Sequence, residues 1–259
     1  MLSDRRPIRS ILLAPFRPEH YAAARNSLSV YDKPFKRLRD YISSSGHYPG
    51  TVRLHTPAGI LPVRLYSAHD LRTVNEVFCR IDYPVRGNER VIVDFGSNIG
   101  VSALYFLSHA PDSRCYLFEP LPENVRRLRD NLAGLEDRFV LHPIAVGLHN
   151  GMADFGYEPT GRYGGIGIES PSQLRVPCRS ATDLLDEVLS IHDEIDILKI
   201  DIESLEKEVL TSIREDQLRR IRTIYIEQHF EHNPLPPHLF SFRQRLGIAQ
   251  FTRSPTAEV

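Results

Sequence analysis

The chain has 259 residues, with 32 Lys and Arg against 33 Asp and Glu and a formal net charge of -1. That balance argues against a general nucleic-acid binder, whose domain is usually strongly basic. With 41% hydrophobic and 25% charged residues, the composition excludes a disordered chain and predicts a packed core. The average hides a split, because residues 1–40 hold nine Lys and Arg against four Asp and Glu, leaving -6 for the rest. Cys79, Cys115 and Cys178 are too far apart for a CxxC metal knuckle and odd in number for a disulfide framework, so a reducing cytoplasm is the expected location. No run approaches the roughly 18 apolar residues of a membrane span. Ile11 to Ala14, closed by Pro15, is shorter than the signal-peptide core of about 7 to 15 residues.

Residues 1–50 show no clear period, and Pro7, Pro15, Pro18, Pro34 and Pro49 are expected to break any helix there into short pieces. Val52–His55 and Ile60–Leu65 read as two strands around a turn at Pro57-Ala58-Gly59. Asp70 to Ile81 follows as a helix with Asp70 as its N-cap and Leu71, Val74, Val77, Phe78 and Ile81 on one stripe. From residue 90 strands and helices alternate, which predicts an α/β fold with a mostly parallel central sheet and helices on both faces. The expected strands are Val91–Val93, Arg114–Phe118, Phe139–Val146, Ile195–Ile202 and Thr223–Glu227, with helices over Val101–His109, Pro122–Leu132, Thr182–Leu189 and Leu205–Ile213. Asn150-Gly151 signals a type I′ hairpin onto Met152–Tyr157. A glycine-rich loop, Gly161 to Gly167, leads to a strand near Leu174–Cys178, and the C-terminal stretch reads as a short helix near Leu239–Leu246 and a strand, Ile248–Thr252. Residues 1–89 are thus expected to be an N-terminal extension packed on a core of residues 90–259.

Four places carry chemistry. In Val91 to Gly100 a buried strand ends in Asp94, turns on Gly96-Ser97-Asn98 and enters a helix after Gly100, the position where open parallel sheets bind ligands. The glycines stand as GxxxG with Asn98 between them, not as GxGxxG, which favours a nucleoside-like cofactor over a pyrophosphate; the plain alternative is an ordinary strand-to-helix turn. Phe118-Glu119-Pro120 ends the next strand in an acid suited to accept both ribose hydroxyls. In Lys199 to Ser204, period-2 alternation places Lys199, Asp201 and Glu203 on one side of the fourth strand, with Ser204 capping the next helix. Tyr225, Glu227 and His229 alternate along the fifth strand, and His229 at its exit could take a proton from a substrate hydroxyl, with His142, His232 and His238 as rivals. No metal site is evident, although Asp201, Glu203, Glu227 and His229 could together hold a divalent ion.

In this order the motifs resemble the FkbM family of S-adenosylmethionine-dependent methyltransferases. Asp94 to Gly100 is similar to that family's D-x-G-A-N-x-G loop, Phe118-Glu119-Pro120 to its F-E-P, Ala145-Val146-Gly147 with Asn150-Gly151 to its A-x-G turn and hairpin, and Lys199 to Glu206 to its K-I-D-x-E-G-x-E. The resemblance implies a Rossmann-like class I methyltransferase that binds S-adenosyl-L-methionine. It implies that Asp94, Gly96, Ser97, Asn98 and Gly100 embrace the methionine end and that Glu119, followed by Pro120, holds the ribose. Asp201 and Glu203 would line the cleft where the methyl passes to an oxygen. The implied acceptor is a hydroxyl of a sugar or glycoconjugate, with a polyketide hydroxyl as the alternative. The basic N-terminal segment could guide a lipid-linked acceptor. Ser204 departs from the family's usual Gly, and the C-terminal end looks short of the sixth and seventh strands that close such sheets. Two readings of other classes stand beside this one: a nicotinamide-dependent oxidoreductase on a similar sheet, against which the missing GxGxxG counts, and a silent binding module that keeps the cofactor turn.

Overall fold

In the computed structural model of the chain, two prolines expected to break helices begin them instead. Helices α1 (Pro18–Val30) and α2 (Pro34–Ser43) each open on a proline, whose missing N–H is no loss in a first turn. This corrects the expectation of short pieces before residue 50. Pro7, Pro15, the run Ile11–Ala14 and the basic Arg5, Arg6 and Arg9 lie outside the described residues, which are 18–44, 46–161 and 163–254.

The chain divides into two units, Met1–Pro84 and Val85–Val259. In the first, β1 (Gly50–Thr56) and β2 (Gly59–Leu65) pair antiparallel, as read from the sequence, and alternation buries Val52, Leu54, Val63 and Leu65. Helix α3 (Ala68–Val74) runs into a π-helical turn, Asn75–Cys79. Its N-cap is Ser67 rather than Asp70: Ser67 Oγ accepts the Asp70 N–H, and Asp70 Oδ2 accepts the Ser67 N–H, a capping box. The expected stripe is buried at Leu71, Val74, Val77 and Phe78. Ile81 falls past the helix, in the left-handed region at φ 57°.

The second unit is built on strands that are apolar on both faces. β3 (Val91–Phe95) and β10 (Ile195–Ile200) are buried at every position, the pattern of a parallel sheet covered by helices. They pair with each other, β3 also with β4 (Arg114–Phe118) and β10 with β11 (Ile221–Ile226), while β4 pairs onward with β5 (Phe139–His142), all parallel. Val91, Val93 and Phe95 share a core with α6 (Ala181–Ile191), α7 (Glu206–Ser212) and Leu218 of α8 (Glu215–Leu218). Asp94 points to the other face, where Ser102 of α4 (Val101–His109) meets it. Helix α5 (Pro122–Asn131) joins β4 to β5.

Two departures reshape this unit. The strand expected over Phe139–Val146 breaks after His142, and β6 (Ala145–Gly147) leaves for a second sheet with β7 (Gly151–Tyr157), β8 (Gly164–Ile166) and β9 (Ser172–Ser180), in the order β6-β9-β7-β8. Asn150-Gly151 therefore does not fold β7 onto β6: Asn150 Oδ1 accepts the Ser180 N–H, and β7 pairs antiparallel with β9. The helix expected near Leu239–Leu246 is a strand, β12 (Phe240–Arg245), in a hairpin with β13 (Ile248–Arg253). Phe-Ser-Phe-Arg-Gln-Arg alternates with period 2, but its turn places Leu246 (φ 52°) and Gly247 (φ 90°) in the left-handed region, and a leucine hides that I′-like signal. The hairpin completes a seven-stranded sheet in the order β12-β13-β11-β10-β3-β4-β5: the expected strand Ile248–Thr252 lies within β13, and β12 is the closing strand that the sequence alone left unplaced.

Phe251 of β13 is fully enclosed, with rings of Phe230 and Phe242 at 5.8 and 5.2 Å. Phe251→Ala is expected to cost about 3 to 5 kcal/mol in urea unfolding, a loss that an edge strand of no structural consequence would not give.

Candidate functional site

The register sets three turns side by side. Ile200 pairs with Phe95 and Phe95 with Phe118, so Gly96, Glu119 and Asp201 leave the carboxyl ends of three adjacent strands. Connections turn to opposite sides of the sheet between β3 and β10, the kind of switch point where α/β sheets bind ligands.

Gly96 is required by close approach. It sits at φ 83°, and a Cβ there would fall 1.8 Å from the carbonyl oxygen of Asp201. The Gly96 and Ser97 N–H groups both donate to Phe118 O, at 3.1 and 3.0 Å, and the Asp201 N–H donates to Phe95 O at 3.0 Å. Ser97 Oγ donates to Asp94 O and accepts the Phe118 N–H. Asn98 is held in the left-handed region at φ 49°, and its Oδ1 accepts the Ile99 N–H at 2.8 Å, a local bond that favours this conformation for Asn. The Gly100 N–H then donates to Ser97 O as α4 begins.

Under this turn lies a buried ion pair. Asp94 is completely enclosed, its Oδ1 3.0 Å from Lys199 Nζ and its Oδ2 accepting the Ser102 hydroxyl at 2.6 Å. Lys199 also donates to Gly96 O at 3.1 Å and pairs with Asp201 Oδ2 at 3.1 Å. Burial pulls the lysine pKa down, but Asp201 and Asp94 outweigh it and the net shift is upward. Lys199 thus stays charged and fixes both acids. Sequence reasoning put Lys199 on the right side of the strand but gave it no role in the site.

Glu119 is likewise buried, 5% exposed. Its Oε2 accepts the Asn98 N–H at 2.9 Å, and its Oε1 accepts the Leu121 N–H at 2.9 Å and Asn124 Nδ2–H at 3.3 Å. Burial pushes this carboxyl up to about 7, against the pull of those hydrogen bonds. Pro120 follows it, partly buried. Asn124 is a further member that the sequence did not single out: Nδ2 also donates to Gly161 O at 2.7 Å, while Oδ1 is buried with no hydrogen-bond partner. Asn98 Nδ2 reaches the same Gly161 carbonyl at 3.4 Å. The glycine-rich loop is therefore tied to both motif turns.

On the other side the expected alternation stops at the strand end. β10 finishes at Ile200, Asp201 is about a quarter exposed, and Glu203 stands exposed at φ 68° beyond the strand. Only Lys199 and Asp201 of that trio meet. Ser204 does not cap α7. The helix has no side-chain cap; Glu206 Oε1 instead turns back and ties down the preceding loop, accepting the N–H groups of Ile202 and Glu203. Ser204 instead lies against Gly165, where a Cβ would come 2.7 Å from its Oγ.

β11 ends at Ile226, so Glu227 and His229 do not share a strand face with the buried Tyr225. The Glu227 N–H still donates to Ile200 O at 3.1 Å, and His229 stands exposed on the rim that follows. Of its rivals, His232 and His238 are exposed, and His142 is half-buried and stacked on Phe118 at 4.8 Å. Among the described residues no group of three or more His, Cys, Asp or Glu could hold a metal ion, so Asp201, Glu203, Glu227 and His229 do not form a cation site.

Five parallel strands closed by an antiparallel hairpin, with the motif turns gathered at the switch point, make this the fold of a class I methyltransferase. A family model described as "Methyltransferase FkbM domain" matches residues 94–247, and the chain belongs to that family of methyltransferase enzymes. The nicotinamide-dependent alternative is thereby set aside. Two curated relatives are each 29% identical over 194 residues: 2-O-methyltransferase NoeI of Sinorhizobium fredii, with 65% of this chain and 77% of that protein covered, and AMB antimetabolite synthetase AmbE of Pseudomonas aeruginosa, with 60% and 9% covered. The chain therefore spans less than a tenth of AmbE. Among solved structures, a methyltransferase FkbM from Methylobacillus flagellatus is 13% identical with a TM-score of 0.43, over 85% of this chain and 59% of that one. At that score the likeness adds nothing to the assignment.

Two outcomes follow from these contacts. Lys199→Met, which strands a buried carboxylate, is expected to cost about 3 to 5 kcal/mol, and adding Asp94→Asn should recover part of it in denaturant unfolding. Gly165→Ala is expected to cost about 1 to 3 kcal/mol by overpacking, and Ser204→Gly in the same chain should return at least half. Independent, additive losses in a double-mutant cycle would refute the Gly165–Ser204 contact.

Proposed function

We propose that the protein is an S-adenosyl-L-methionine-dependent O-methyltransferase acting on a hydroxyl of a sugar or glycoconjugate in the cytoplasm. The cofactor reading is carried by Glu119. Its ionised form is held back by burial, three of its roughly four acceptor sites are already used, and a ribose O–H donor at the remaining one would favour ionisation further. The orphaned Oδ1 of Asn124 beside it adds a polar group without a partner. The residues present therefore fit this cofactor.

When bound, S-adenosyl-L-methionine supplies a methyl group on a cationic sulfonium. The residues of the chain orient it and manage charge and proton. Gly96 to Gly100 offers a backbone that a ligand can approach, and the enclosed Asp94 acts through Lys199 by holding that turn, not by contact. Asp201 brings negative charge to the cleft, which favours a nearby cation. Asp201 is engaged by Lys199 at 3.1 Å, and the base that takes the hydroxyl proton is assigned to His229 on the rim. Glu203 belongs to the loop on the acceptor side.

Support for an oxygen acceptor comes from the name of the relative NoeI, 2-O-methyltransferase, and for a sugar from the motifs that resemble the family. The equal identity to AmbE, an antimetabolite synthetase, favours a second reading in which the hydroxyl belongs to a secondary metabolite. Buried free thiols at Cys79, Cys115 and Cys178 suit a reducing compartment, and among the described residues no helix is long and apolar enough to cross a membrane.

Calorimetry with S-adenosylhomocysteine tests the cofactor reading. Glu119→Ala should weaken binding by about 1 to 3 kcal/mol. Because the free carboxyl titrates near 7 and the ligand favours its charged form, affinity should be flat above that pH. Below it, affinity should fall toward tenfold per unit, and the slope should vanish in Glu119→Gln. Unchanged affinity and slope in both variants would refute the ribose role. For His229→Ala, turnover on oligosaccharide acceptors is expected to drop about 10²- to 10⁴-fold with cofactor affinity intact; an identical pH–rate profile would remove His229 from the reaction.

A further inference from the structure

The first unit carries a cavity that the catalytic reading does not use. It has a volume of about 510 Å³ and is lined by one side of α2 and by the segment Gly46–Val52. Its walls include Lys36, Arg37, Arg39, His47 and Tyr48, and the single acid among them is Asp40. Asp40 is 4% exposed and accepts from Arg37 Nη1 at 3.5 Å and from Arg39 Nη2 at 3.3 Å. One buried carboxylate thus pairs with two of the three cations in the walls. The excess is positive, in a concavity, where walls of low dielectric concentrate the field.

A second observation points the same way. Arg37 Nε is buried with no hydrogen-bond partner, although Nη2 of the same guanidinium donates to Thr51 O at 3.2 Å. A buried donor left unmade costs about 1 to 3 kcal/mol. The protein thus leaves part of this guanidinium's hydrogen-bonding capacity unfilled. Planar guanidinium groups suit phosphate oxygens in particular, and a neighbouring lysine adds a point charge.

We infer that this cavity binds the phosphate of an anionic ligand through Lys36, Arg37 and Arg39. Two sources present that chemistry: a soluble phosphate ester, or the phosphate headgroup of a lipid. The lipid source has its own support on the same helix, because Phe35 and Ile42 are 78% and 55% exposed, and an apolar side chain beside basic ones suits an anionic membrane surface.

The test uses the full-length protein. Inorganic pyrophosphate is titrated calorimetrically, and vesicles of phosphatidylcholine with or without phosphatidylglycerol are sedimented with it. At least one anionic probe is expected to bind, and Lys36→Gln with Arg39→Gln should weaken that binding tenfold or more. The thermal midpoint and S-adenosylhomocysteine affinity should stay unchanged. Lys36→Glu is the second variant should the pair be unstable, and Lys207→Gln, exposed on the other unit, is the control. Saturable pyrophosphate binding assigns a soluble phosphate ester, and binding to phosphatidylglycerol vesicles alone assigns the lipid. Binding of neither probe, or a loss no larger than the Lys207→Gln control shows, overturns the proposal. Intact S-adenosylhomocysteine binding separates that failure from a failure of the catalytic reading.

Discussion

The second unit depends on one ammonium group buried between two strands. Removing a lysine from water costs several kcal/mol unless charge and hydrogen bonds replace the solvent. Lys199 finds Asp94 on β3, Asp201 at the exit of its own strand and the carbonyl of Gly96. Each partner is thereby placed. Asp94 cannot leave without stranding the cation, Gly96 must turn so that its carbonyl faces Nζ, and the chain after β10 must bring Asp201 back toward β3. The glycine at 96 follows from the same geometry, since the Asp201 carbonyl lies where a side chain would begin. An interaction that contributes little net stability still selects the shape of two loops.

Glu119 holds the second half together in a different way. Its carboxylate joins the Asn98 N–H of one turn to the Leu121 N–H and Asn124 of the next, and Asn124 passes the connection to Gly161. The glycine-rich loop is bound at Gly161 to the side of the nucleoside motifs and lies at Gly165 against Ser204, on the side of the loop after β10. A loop fixed at both points spans the distance between the two halves of the site, and the Ser at 204 is tolerated because residue 165 has no side chain.

The parallel strands and their helices were legible because apolar runs of five or six residues bounded by turn residues have few other uses, and Arg114–Phe118 and Val101–His109 carry the same bounds in sequence and structure. The motif residues Gly96, Glu119 and Asp201 were legible for a related reason: each is the first residue past the carboxyl end of a parallel strand, where the sequence turns polar or flexible. What escaped was decided by contacts distant in sequence. Nothing local says that Ala145–Val146–Gly147 pairs with residues 178–180 and not with Met152 onward. β12 was lost because Leu246 occupies a turn position usually held by Asn or Gly. His229 was placed on a strand by extrapolating period 2 past Ile226, where the sheet ends.

The acids of the site show most plainly what sequence alone withholds. Asp94, Glu119 and Asp201 each stand at or just past the end of a largely apolar strand, and Glu206 follows five residues after Asp201. Their surroundings separate them. Asp94 is enclosed and neutralised by Lys199, so it serves as an anchor. Glu206 turns back onto two N–H groups of the loop before its helix and ties that loop down, with burial raising its pKa. Asp201 keeps a quarter of its surface open while sharing the lysine. Glu119 is the more deeply buried of the two acids held only by neutral hydrogen-bond donors, so no cation offsets its desolvation. Burial pushes its carboxyl up to about 7, and an incoming hydroxyl donor in its remaining acceptor position would shift it toward the ionised form.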